Sequence, residues 1–503
     1  MSELNWILFM RLRLLIGALL LASLACQTIM GPAATPFVPT PPPLPTRFAP
    51  APRTPAPTPQ LGVTAAPQPT QSSGPTFDAN GVRQCEYVPG VSVPAQMPPD
   101  LAALPTPPPA PTATPPPVSS VSKATTDRQL RIYRQLWDTV NDTYVYEDFR
   151  GRDWNAIGDR YEGYIRGGLT DEDFYRAMAD MINELGDDHS HFIDPEQAAK
   201  DDRELAGTVD YVGIGVLLSA VPSANRAVVI TVFEGSPALE AGVRSHDAIL
   251  RVDGEPILDE AGELQTGKVR GPEGTEVTLT FQRAGGEPFD ITFTRRRIQS
   301  PMPIDYCLVP GARLGYIFLP GMSDETIVDR FRSALEQMTL AGPLAGLIID
   351  NRQNGGGSSS VADPLMGMFT KGLQGYFFNR TDRIPLELEA EDVGGSQTVP
   401  LVILVDVDTV SYGEIMSGVL RVAGRAVIVG QTTYGNVERL YGTDFEDGSR
   451  AWIASETFEP NGETNGVWEE TGIVPDHLVP TRWDLFTEAT DPALAKAVEL
   501  LSP

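Results

Sequence analysis

Four short apolar runs limit what the C-terminal part of this chain can fold into. They are "LGYIFLP" (314–320), "LAGLIID" (344–350), "VPLVILVD" (399–406) and "AVIVG" (426–430). Strands that are apolar at every position need cover on both faces, as strands of a parallel sheet do. The amphipathic helix "DETIVDRFRSALEQM" lies between the first two runs, and helix starts follow Gly357 and Ser411. This alternation predicts an α/β layered domain over 299–503, closed by a helix within "TRWDLFTEATDPALAKAVELL".

Upstream, the chain changes character three times. Of its 46 prolines, 27 lie between Gly31 and Ser120. Runs such as "PTPPPAPTATPPPVSS" favour polyproline II and bury no core, so 27–122 reads as a linker. Within it, "FDANGVRQCEYVPGVSV" (77–93) is poorer in proline and has the makings of a docking segment. Residues 123–205 read as a helical domain: Ile132, Leu136 and Val140 recur every fourth residue. "TDEDFYRAMADMINEL" adds an apolar stripe behind a capping-box spacing of Thr170 and Asp173. Residues 206–298 carry strand-like runs, "YVGIGVLL", "AVVITV", "AILRVDG" and "EVTLTFQR", with "GSPALEAGV" between them.

Residues 1–26 read as an export signal: Arg11 and Arg13, then an apolar stretch from Leu14 to Leu24, too short for a membrane span. "SLACQ" resembles a bacterial lipobox, which implies acylation of Cys26 and a lipid anchor on the outer face of the membrane. Ser23 departs from the usual leucine, so a plain signal peptide or short anchor stays open, as does a start at Met10 rather than Met1. The net charge of −28 argues against nucleic acid as a partner. Cys85 and Cys307 remain after Cys26, and export permits them to pair; two buried thiols are the alternative.

The β-rich segment resembles a PDZ domain in "GIGV", "GSPALEAGV" and "AILRVDG". The resemblance makes Gly213, Ile214, Gly215 and Val216 the loop that receives a peptide C-terminus.

Chemistry concentrates in "IIDNRQNGGGSSS" (348–360) and "DTVSYGEIMSGVL" (408–420). Each sets a strand end against a helix start, where free backbone N–H groups can hold an oxyanion. A serine on such a turn presents its hydroxyl beside those donors. Either feature alone is an ordinary helix cap. With the PDZ-like segment, "LGDDHSHFIDPEQ", "IDNRQNGGG", "TVSYGEI" and "GIVPDHLV" resemble the S41 serine peptidases, the tail-specific processing proteases and their tricorn-like relatives. That resemblance implies a crotonase/ClpP-like layered core, with Ser411 as nucleophile and the Gly356 and Tyr412 amides as oxyanion hole.

The processing branch carries a lysine base in "TFGKG". Here the segment reads "TYGNV", and the five lysines of the chain, at 123, 200, 268, 371 and 496, all lie elsewhere. Asn436 cannot take a proton from serine at neutral pH, so the base must come from another residue. Of the four histidines, His246 in "GVRSHDAIL" reads as an exposed turn. By resemblance to the tricorn-like branch, His189 is the base and Glu469 orients it, with Asp188 where tricorn has serine. "DDHSH" lacks a second ligand cluster for a metal hydrolase. The expectation is an exported serine endopeptidase acting on polypeptides without metal or cofactor. The alternative is an inactive S41-like protein that binds polypeptide C-termini. Oligomeric state is not legible.

Overall fold

The computed structural model describes residues 76–91, 115–205, 209–462 and 468–502. The expected export signal, Cys26 and most of the proline-rich segment lie outside these residues. Among the described residues no helix is long and apolar enough to cross a membrane.

The helical segment holds α1 (Lys123–Thr143), α2 (Trp154–Gly167), α3 (Asp171–Asn183), the short strand β1 (His191–Ile193) and α4 (Pro195–Leu205). Thr170 caps α3, its hydroxyl oxygen accepting from the Asp173 amide at 3.1 Å, as the capping-box spacing predicts. The apolar faces of α1 to α3 do not close on each other alone. Leu136, Tyr144, Met178 and Phe192 share one buried cluster with Leu440, Trp452 and Ala454 of the C-terminal region.

The PDZ-like segment comprises β2 (Val209–Gly213), β3 (Val216–Val221), β4 (Arg226–Val232), α5 (Pro237–Glu240), β5 (Ala248–Val252), β6 (Glu255–Pro256), α6 (Thr266–Val269), β7 (Glu276–Gln282), β8 (Phe289–Thr294) and β9 (Arg296–Ser300). One sheet runs β3-β4-β5-β7-β8 with β6 on β5, and β2 pairs with β9 separately. Strand β4 is buried on both sides. Ala227 and Val229 enter the core of this segment, whereas Val228 and Ile230 pack with Phe318, Trp483 and Val498.

The C-terminal region holds β10 (Tyr306–Val309), β11 (Leu314–Phe318), α7 (Ile327–Thr339), β12 (Gly346–Asp350), α8 (Ser359–Gly367), β13 (Gly372–Phe378), β14 (Arg383–Leu388), β15 (Leu401–Val405), α9 (Tyr412–Val422), β16 (Ala426–Gly430), β17 (Arg439–Asp444), β18 (Arg450–Pro460), β19 (His477–Leu478) and α10 (Pro492–Leu501). The main sheet has the order β10-β11-β12-β15-β16-β19. The four apolar runs are its parallel centre, β11, β12, β15 and β16. Leu347, Ile349, Ile403 and Val405 face α7, α8 and α9, while Ile348, Val402, Leu404 and Val429 face α10. Both faces are covered, which is why these strands show no alternation. A second, antiparallel sheet runs β1-β18-β13-β14, with β17 on β18. Thus β1, from the helical segment, completes a sheet of the C-terminal region.

Cys85 and Cys307 are joined as a disulfide, so the 77–91 strap is tied to edge strand β10. Arg83 also pairs with Asp305 and Glu488, and Glu86 with Arg244 of the PDZ-like segment. The expectation of an exposed His246 is overturned. It is 5% exposed, stacked 4.2 Å from the Trp483 ring, with Nδ1 3.1 Å from the Trp483 carbonyl oxygen. Its polar neighbours mimic a solvent turn, but the aromatic surface that covers it comes from far along the chain.

Candidate active site

Ser411 is the N-cap residue of α9, with φ 57° and ψ −127°. A positive φ is strained for a residue with a Cβ, and it persists only where the surroundings impose it. Here they do. The Ser411 amide donates to the Asn436 carbonyl at 2.9 Å and to Glu414 Oε2 at 3.2 Å, and the Val410 amide donates to the Asn354 carbonyl at 2.9 Å. Buried Glu414 also accepts from the amides of Gly435 (2.7 Å) and Asn436 (2.8 Å) and from the Thr433 hydroxyl. Burial pushes its pKa up to about 7 against those four donors. One carboxyl thus binds the nucleophile turn to segment 433–436.

The glycine loop after β12 packs directly on this turn. A Cβ on Gly356 would lie 2.6 Å from Ser411 Cβ and 3.0 Å from both Ser411 Oγ and the Tyr412 amide nitrogen, and its φ is +88°. Only glycine fits there. The Tyr412 amide heads α9, where no intrahelical acceptor exists. The Gly356 amide is not open: it donates to Asn354 Oδ1 at 2.9 Å, a buried N–H taking the nearest acceptor.

His189 lies on the turn between α3 and β1 and is buried. Asp187 Oδ1 shapes that turn by accepting from the His189 and Ser190 amides at 3.1 and 2.5 Å. Ser190 Oγ accepts from the Ala454 amide at 3.0 Å, and β1 pairs with β18, so the turn is held against the C-terminal region. His191 Nδ1 sits 2.8 Å from the His189 carbonyl oxygen, and burial pushes its ring down to about 4.

Asn436, at the place of the missing lysine, joins the two parts. Its carbonyl takes the Ser411 amide, and its Nδ2 donates to Asp188 Oδ1 at 3.3 Å. The nucleophile turn and the neighbour of His189 therefore meet on one residue, the first through its backbone and the second through its side chain.

The carboxylate facing His189 is not the one expected. Glu438 Oε2 stands 3.4 Å from His189 Nδ1, and both side chains are buried. Glu469 Oε2 instead accepts from the Val437 amide at 2.8 Å. Burial, and secondly the Glu438 carboxylate, hold Glu469 well above the usual carboxylate range. Sequence reading missed Glu438. Its only signal is an acidic residue in an otherwise strand-like approach, "NVERL", two positions after Asn436. A cleft of about 300 Å³ opens beside this cluster, lined by Val145, Tyr146, Phe378, Thr457, Glu469 and Glu470.

The loop Gly213–Val216 leads into β3, an edge strand of its sheet. The Ile214 carbonyl accepts from the Ala238 amide at 2.9 Å and the Gly215 carbonyl from Phe233 at 3.0 Å. Gly215 has φ +83°, and a Cβ there would come within 2.2 Å of Ser236 Cβ. An open strand edge beside such a loop has the geometry for adding a peptide strand.

Comparison with known proteins agrees with this layout. Residues 313–479 match peptidase family S41, 129–183 the tricorn protease C1 domain, and 212–291 the PDZ domain. The carboxyl-terminal-processing protease of Synechocystis sp. is 30% identical over 371 residues, covering 72% of this chain and 84% of that protein. The chloroplastic carboxyl-terminal-processing peptidase 2 of Arabidopsis thaliana is 28% identical over 402 residues, covering 74% of each. Among solved structures, the photosystem II D1 C-terminal processing protease has a similar fold, with a TM-score of 0.50 at 24% identity over 76% of this chain and 98% of that chain.

Proposed function

The chain belongs to peptidase family S41 and is a serine-type peptidase, and from that premise we propose that it is an exported endopeptidase of the carboxyl-terminal-processing type that uses a serine–histidine pair instead of a serine–lysine dyad. The observation that carries this reading is Asn436. It stands where a lysine base would, and it ties the Ser411 turn to the Asp188–His189 turn.

Ser411 Oγ attacks the scissile carbonyl while His189 takes its proton. The Tyr412 amide receives the developing oxyanion, joined by the Gly356 amide once the Asn354 side chain releases it. His189 then returns the proton to the leaving amine, and water resolves the acyl-enzyme. Glu438 and Glu469 form the carboxyl cluster beside the imidazole. The PDZ domain receives polypeptide C-termini by strand addition at β3, with the 213–216 loop on the terminal carboxylate. An acyl chain on Cys26 and the proline-rich stalk would hold the enzyme at the outer face of the membrane.

One observation favours a second reading, a silent protein that only binds polypeptide ends: the Gly356 amide is already spent on Asn354. A fluorophosphonate probe separates the two. An active peptidase labels at Ser411 and loses the label in Ser411→Ala, whereas a binding protein does not label.

A further inference from the structure

We propose that Glu438, rather than Glu469, is the positioning residue that fixes the His189 imidazole and balances the positive charge it acquires; the inference rests on the serine–histidine reading above.

Five acidic groups surround His189 or the turn joined to it. Asp187 Oδ1 is taken by the His189 and Ser190 amides. Asp188 Oδ1 receives Asn436 Nδ2. Glu414 holds four donors from the nucleophile turn and segment 433–436. Glu469 Oε2 receives the Val437 amide. Glu438 alone among these five receives no amide N–H; the Tyr146 hydroxyl lies beside it, and His189 Nδ1, which faces Glu438 Oε2 at 3.4 Å, has no other partner. A buried imidazole nitrogen and a buried carboxylate oxygen that face one another at the long end of bonding distance make a pair that a small closure completes. Catalytic hydrogen bonds in unliganded enzymes are often long in this way.

The charge balance points in the same direction. A buried carboxylate with only a neutral hydroxyl beside it and no paired cation is costly. The neighbouring cation is directed elsewhere, since Arg439 pairs with Glu456 and lies over the Phe377 ring. The imidazolium formed as Ser411 gives up its proton is the cation that the reaction itself creates at Glu438. Burial and the Glu438 carboxylate push Glu469 above the usual carboxylate range, which disfavours its charged form, and its Oε2 is already taken by the Val437 amide.

The test uses the full chain and β-casein as substrate, with the fluorophosphonate probe as a separate control. Glu438→Gln is expected to lower kcat about 100-fold or more with KM nearly unchanged, and to abolish the downfield Nδ1–H proton resonance of His189. Glu469→Gln is expected to lose at least about tenfold less activity and to keep that resonance. Glu438→Asp, which retains the charge one methylene further away, should fall between wild type and Glu438→Gln; it also serves if Glu438→Gln does not fold. An equal or larger loss in Glu469→Gln, or a resonance that survives in Glu438→Gln or Glu438→Asp at full strength, would overturn the assignment. The control keeps the two readings apart. Wild-type protein that fails to label at Ser411 overturns the serine–histidine reading itself. Labelling at Ser411 with unaltered kcat in Glu438→Gln overturns only the role of Glu438.

Discussion

The two accessory domains are joined to the peptidase core in different ways. The helical domain is continuous with it. Strand β1 completes a core sheet by pairing with β18, and one apolar cluster runs from α1 to Trp452 without a break. The PDZ domain has its own sheets and its own core, and among the described residues it shares no sheet with the rest. It rests on one face of β4, on the His246–Trp483 stack and on the Glu86–Arg244 pair. The domain that carries His189 is thus built in, while the PDZ domain is docked. Chemistry requires a fixed distance, and delivery tolerates motion.

The largest expected effect tests the built-in side. His189→Ala should lower turnover about 1,000-fold or more, as severely as Ser411→Ala, because members of a catalytic unit fail together. Retention of full turnover would mean that the histidine is only an interface residue. Next is the glue of that junction: Trp452 is almost completely buried. Trp452→Ala should cost about 3–5 kcal/mol in chemical denaturation and lower activity with it. If stability fell and turnover did not, His189 would not depend on this junction for its position.

The docked side should respond more mildly. The disulfide closes a sequence separation of 222 residues, so Cys85→Ser should cost about 3–4 kcal/mol on melting and increase protease sensitivity around Arg244, with little change in kcat on short peptides. The smallest effect is a pH dependence of PDZ docking. Burial pushes His246 down to about 4 from 6.5. Its depressed pKa means that the undocked state binds more protons between those values, so docking is full above pH 6.5 and is lost as pH falls toward 4, by about 3 kcal/mol. Limited proteolysis across this range should show the PDZ domain loosening, and His246→Phe should flatten the response. His191 is pushed down equally at the helical junction, so acid sensitivity that survives in His246→Phe reports that junction.

The parts of the molecule legible in sequence are those whose signal is local. Apolar runs at 314–320, 344–350, 399–406 and 426–430 are strands because no other element of that length buries every side chain. The cap at Thr170 depends on residues three apart, whereas the association of Gly356 with Ser411 is implied only by the family resemblance that the two motifs carry together. What was missed, misread or left open depends on distant chain. Strand β1 has three residues and exists only through β18. His246 looks solvated until Trp483 covers it. Cys85 and Cys307 meet only because the strap runs beside β10. Glu438 carries no motif; it gains meaning when folding brings it to His189.

The placement of the disulfide also has a mechanical meaning. If a lipid anchor holds the N-terminus, a pull on the tether passes at Cys85 through Cys307 into edge strand β10 before it can reach α1. The force bypasses α1 and the turn that carries His189. A protein tugged by its leash would then strain the side of the molecule where the PDZ domain docks and leave the His189 turn unloaded. The crosslink works as a strain relief, as a clamp on a cable does, placed on the chain before the part that must not move.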